Sequence, residues 1–203
     1  MKEDFYELYN SFEKEAKEKN KKIVSSFNNS NIEFASREIM SLIVSECLME
    51  DVATIGMLKE NSCSDRYVDY IIRNMCEQVI EYMYIIKHPK LIKEYFGMNI
   101  SAEGNENNLF KVLKRTGKAR FENRESVAGL AADIGEKKSS EEKISLYEIY
   151  SLKAELEHHS YFHHMLDLTC KIDCENESEN TEGLEYVFLI YILTAFIEIY
   201  DTV

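Results

Sequence analysis

The stretch "ELEHHSYFHHMLD", residues 155–167, places four of the chain's five histidines (His158, His159, His163 and His164) within seven positions. Imidazole titrates near neutral pH and is a common metal ligand, so such a run can serve proton transfer or metal binding. Helical geometry divides it. At 100° per residue, His158 falls in the middle of an apolar and aromatic stripe with Tyr147, Tyr150, Ala154, Tyr161, Phe162 and Met165. His159 and His163 lie together on another face with Asp167, and His164 joins Lys153 and Glu157 on the polar side. At most two of these histidines can act at one site.

The metal option rests on His159 and His163, spaced i, i+4, with Asp167 one turn further. That spacing can turn two imidazoles and a carboxylate toward one divalent ion. A complete site needs ligands from another element, and the sequence holds no second cluster. The first expectation is therefore no cofactor, with a divalent metal as the alternative. His158 has two readings: a core histidine satisfied by one hydrogen bond, or a half-buried general acid or base facing a pocket between helices.

The elements that must carry these residues are helices. The 203 residues include one proline and seven glycines, which favours long helices joined by short connections in an all-α bundle of seven or eight helices, folded as a single domain over 1–203. Apolar periodicity and turn signals predict helices at 2–29, 32–60, 65–87, 90–96, 106–116, 124–135, 142–171 and 183–201. Asp65 is the expected N-cap of the third and Ser140 of the seventh. A polar acidic loop is expected near 172–183. The last helix carries twelve residues without charge, Tyr186 to Ile197. Twelve residues span only ~18 Å, against about 30 Å for a bilayer core, so no membrane span is expected. Such a helix belongs in the core or at a homodimer interface.

Charge is unevenly placed. The net charge is −13, and Ile172 to Val203 holds eight acidic residues and no lysine or arginine. Lys111 to Arg124 is locally basic and includes Lys114 and Arg115. An acidic whole argues against sequence-blind nucleic-acid binding, which phosphate neutralisation drives; a confined contact remains open. The N-terminus is charged throughout, with no apolar central run. Five cysteines form an odd, sparse set. Both features predict a cytoplasmic protein with reduced thiols.

Three segments in order carry a resemblance: "YIIRNMCEQVIEYMYIIKH" (70–88), "NRESVAGLAADIG" (123–135) and "LYEIYSLKAELEHHS" (146–160). They resemble a large, uncharacterised family of all-helical bacterial proteins. Its members pair an Arg-x-x-x-Glu helix with a later helix reading Tyr, seven residues, His, then a small residue two further on. Arg73 and Glu77 match the first pattern; Tyr150, His158 and Ser160 match the second. Ala154 and His159 stand where that family has serine and proline. The family is similar in turn to HEPN-like helical domains, many of them ribonucleases or toxins of phage-defence and toxin–antitoxin systems. No arginine here has a histidine at the Arg-x4-6-His spacing of active HEPN ribonucleases.

The resemblance implies a cytoplasmic defence or toxin effector, with RNA as its partner and metal-independent ribonuclease activity as its chemistry. Arg73, Glu77 and His158 are then the candidate catalytic residues, and Tyr150, Ser160, Lys114 and Arg115 the substrate-binding ones. Arg73 offers a bidentate cation for phosphate, and Glu77 pairs with it or orients the imidazole. By residue chemistry alone, Arg73 and Glu77 equally form an ordinary i, i+4 surface ion pair. Two alternatives stand beside this reading. One is a non-catalytic acidic interaction or inhibitor protein, dimeric through its last helix, that captures a protein partner through residues 173–185. The other is a metal-binding bundle using His159, His163 and Asp167.

Overall fold

Apolar residues returning every three or four positions build the long helices. In the computed structural model, which describes residues 1–29, 31–60, 65–96, 126–140, 143–158 and 183–203, α1 (Lys2–Asn28) buries Phe5, Tyr9, Phe12, Ala16 and Ile23. Helix α2 (Arg37–Glu60) buries Met40, Val44, Leu48, Val52 and Ile55. Helix α3 (Asp65–Lys87) buries Val68, Ile72, Met75, Cys76, Val79 and Ile80. A short 3₁₀ turn (Pro89–Leu91) leads into α4 (Ile92–Tyr95); α5 (Val127–Ile134), α6 (Leu146–His158) and α7 (Leu184–Tyr200) follow. Among the described residues there is no strand, so the chain is all-α.

Helix α3 is the hub. It packs against α2, α5, α6 and α7, most extensively against α6, while α1 closes on α2 and α7. One apolar cluster joins these helices. Its aromatic heart is Phe12, Tyr82, Phe196 and Tyr200, with Phe12 edge-on to Phe196 at 5.7 Å and Tyr82 at 5.0 Å from the same ring. Burying a phenylalanine side chain of this kind contributes about 1.5–3 kcal/mol. Polar groups inside this core are paired. Asn20 donates to Ser45 Oγ (3.0 Å) and Glu46 Oε1 (2.7 Å) and accepts from the Tyr200 hydroxyl (3.1 Å), tying α1, α2 and α7 together.

Several boundaries differ from the sequence expectation, each for a local reason. Helix α2 starts at Arg37 rather than 32 because Ser36 Oγ accepts from Ile39 N–H, the geometry of an N-cap. Helix α6 starts at Leu146, and its cap is Ser145, not Ser140: Ser145 Oγ accepts from Glu148 N–H at 3.1 Å. The sequence 145–148, Ser-Leu-Tyr-Glu, is the Ser-x-x-Glu capping pattern, which Ser140 lacks. The Ser139 hydroxyl bridges the pattern by donating to Glu148 and accepting from Ser145 N–H. The buried Glu136 carboxylate also accepts from Leu146 N–H, placing negative charge at the helix's positive end. Helix α5 ends at Gly135, whose φ of 84° is left-handed and suits glycine. The predicted helix 106–116 and the second half of the predicted 142–171 lie outside the described residues.

Helix α7 takes the core placement. Tyr186, Phe188, Leu189, Ile192, Leu193, Ala195, Phe196 and Tyr200 are buried within the chain. No helix among the described residues is long and apolar enough to cross a membrane.

Candidate functional site

Arg73 stands on the flank of α3 that meets α6, next to the buried Ile72 and one turn before the buried Cys76, which fix the helix in the core. Its Nη2 donates to the Tyr150 hydroxyl at 3.4 Å, and its guanidinium carbon lies 5.2 Å from the centroid of the Tyr150 ring. The cation thus lies over the ring face, held by charge–quadrupole attraction as well as by the hydrogen bond. Tyr147 stacks on Tyr150, with centroids 5.9 Å apart, and braces that ring. Two residues named from separate motifs therefore meet across the α3–α6 seam.

One turn along the same seam, Lys153 and Asp69 form an ion pair in which both residues are about 6% exposed. The Lys153 ammonium also lies 5.2 Å from the Phe188 ring of α7. The sequence reading put Lys153 on the polar side of its helix, and the structure corrects this. The buried line of α6 is Leu146, Ile149 and Lys153, while Leu152 is exposed. The stripe centred on His158 is instead the boundary of the helix, where Tyr147, Tyr150 and Ala154 are half-buried. The aromatic count of that stripe drew the helical wheel away from the true core face. A buried lysine reads as polar in sequence whatever its partner.

These contacts also fix the register of the two helices. Tyr150 lies level with Arg73, and Lys153 with Asp69, so α3 and α6 run antiparallel. His158 is the last described residue of α6, and only its backbone is described. Eight residues separate it from Tyr150, roughly 12 Å along the axis at 1.5 Å per residue. Arg73 is thus held at Tyr150, two turns from position 158. Ser160, His159, His163, Asp167, Lys114 and Arg115 lie outside the described residues, as do the basic run 111–124 and most of the acidic segment 173–185. Among the described residues no group of three metal-ligating side chains converges.

Beside Arg73 a cleft of about 80 Å³ is lined by Tyr70, Arg73, Asn74 and Glu77. Arg73 and Glu77 are half-buried, whereas Asn74 and Tyr70 are exposed, Tyr70 by 54%. Sequence reasoning missed Tyr70 and Asn74. The signal was present in their i, i+3, i+4 and i+7 spacing with Arg73 and Glu77, which puts all four on one face.

The fifth histidine has a structural post. His88 Nε2 lies 2.8 Å from Asp133 Oδ1, which Lys87 Nζ also reaches at 2.9 Å, fastening α5 to the end of α3. The hydrogen bond from His88 and the contact with Lys87 hold the Asp133 carboxyl below its usual range. No family model, curated protein or solved structure matches the chain.

Proposed function

We propose that this chain is a HEPN-like helical effector of the defence or toxin class that engages RNA at the α3–α6 seam. The observation that carries the reading is the Arg73–Tyr150 contact. The Arg-x-x-x-Glu helix and the Tyr-x7-His helix are the two most extensively packed helices of the fold, and their motif residues touch. A guanidinium fixed over an aromatic ring at the mouth of a polar cleft suits a phosphate oxygen, which it binds through two parallel N–H donors. The exposed Tyr70 ring beside it suits an unstacked base.

The helical register shapes the chemistry. With about two helical turns between Arg73 and His158, the two residues meet different nucleotides of one strand rather than one scissile phosphate. Arg73 then anchors the strand, while further along it His158 takes the proton of a 2′-hydroxyl as that oxygen bonds to the adjacent phosphorus, and returns it to the 5′-oxygen as the P–O5′ bond breaks. Wild type, Arg73→Ala and His158→Ala are to be compared for toxicity on expression, with total cellular RNA followed in parallel. The expected outcome is cleavage and toxicity with wild type, loss of both with His158→Ala, and a strong reduction with Arg73→Ala. Identical behaviour of all three folded proteins would remove the reading.

A further inference from the structure

The cleft next to Arg73 offers more than a cation. Glu77 contributes a carboxylate, which only accepts hydrogen bonds, and Asn74 contributes an amide that donates and accepts. Tyr70 stands at the rim with more than half of its surface open. A half-buried carboxylate beside an exposed aromatic ring is selective among the bases. Guanine presents two adjacent donors, N1–H and N2–H, next to the O6 acceptor. Adenine presents one donor and one acceptor on the same edge, and neither pyrimidine has two donors side by side. A single carboxylate therefore matches guanine alone.

Resting on the RNA reading above, we infer that this cleft reads an unpaired guanine. Glu77 accepts from N1–H and N2–H, Asn74 donates to O6, and Tyr70 supports the ring by stacking, while Arg73 holds the phosphate of that nucleotide. The cleft holds about 80 Å³, and the inference places only the edge of the base in it, with the ribose outside. A guanine in a duplex has this edge already paired, so the preferred strand is single.

Fluorescence anisotropy with end-labelled RNA heptamers tests the inference: UUUGUUU, UUUAUUU, and UUUIUUU, in which inosine lacks the 2-amino group. Wild type should bind the guanine heptamer about tenfold more tightly than the adenine one, the discrimination typical of a bidentate base contact, with inosine between them. Glu77→Gln presents one donor and one acceptor, which fit adenine, so the preference should invert while circular dichroism stays unchanged. Equal affinity for guanine and adenine, lost for both in Arg73→Ala, would overturn the guanine inference and leave RNA binding standing. A guanine preference that survives Glu77→Gln would overturn it too. Failure of every heptamer to bind wild type would overturn both readings.

Discussion

At the residue scale the α3–α6 seam places two kinds of cation side by side with different tasks. Lys153 is buried and neutralised by Asp69, so it serves the fold. Removing one partner of a buried pair leaves an uncompensated charge, at a typical cost of about 3–5 kcal/mol. Asp69→Ala should show that loss in chemical denaturation, whereas Arg73→Ala, at a half-buried boundary position, should cost about 1 kcal/mol or less. The residue that matters most to stability is thus not the one assigned to function. Asp51 supplies a pH-dependent counterpart. Burial raises its carboxyl from 3.8 to about 6, opposed by the hydrogen bond from Gln78. Because the folded state holds this proton more tightly than the unfolded chain, the stability it contributes is complete below about pH 4 and is lost as pH rises through about 6. Asp51→Asn should therefore raise the thermal midpoint at pH 7, with the advantage shrinking toward zero by pH 4. A constant difference across that range would refute the assignment.

At the element scale the short helices depend on their ends. The described part of helix α6 is thirteen residues, a length marginal for a helix in isolation. Its start is fixed by Ser145, Ser139 and Glu136. Ser145→Ala should cost about 1 kcal/mol, and because α6 carries Tyr150 the proposed reading has it weaken RNA binding as well. Ser140→Ala, by contrast, should be silent in denaturation. The long helices were legible in the sequence, since the periodicity of Phe5, Tyr9, Phe12 and Ala16, or of Val68, Ile72, Met75 and Val79, has only one reading. The ends of α2 and α6 were less so. Near each of them several serines compete, and the backbone path decides which hydroxyl reaches an amide. The seam was half legible. Arg73, Glu77 and Tyr150 stood out by type and spacing, while the Lys153–Asp69 pair did not. A charged residue enters a core only with its partner, and the partner here is 84 residues away.

At the scale of the whole molecule, α7 explains how a twelve-residue uncharged run sits in an acidic protein. Eight of its side chains fill the cavity between α1, α3 and α6. Phe196→Ala should remove about 3–5 kcal/mol of stability, whereas Leu184→Ser, at a position 51% exposed, should stay within about 0.5 kcal/mol. If the helix were primarily a contact between copies, the exposed position would instead dominate, and the midpoint would depend on protein concentration. The net charge of −13 bears on function at this scale as well. On the proposed reading, RNA is held at a local site by a few directed contacts, so binding should fall less steeply with salt than for a broad basic surface.

The most direct test of that local site is photocrosslinking of a single-stranded RNA carrying 4-thiouridine, followed by mass spectrometry of the tryptic peptides. The account predicts a crosslink on Tyr70, within the peptide Tyr67–Arg73 of wild type, and its loss from the longer peptide Tyr67–Lys87 that folded Arg73→Ala protein yields. A crosslink confined to other peptides, or one on α3 that persists in Arg73→Ala, would contradict it.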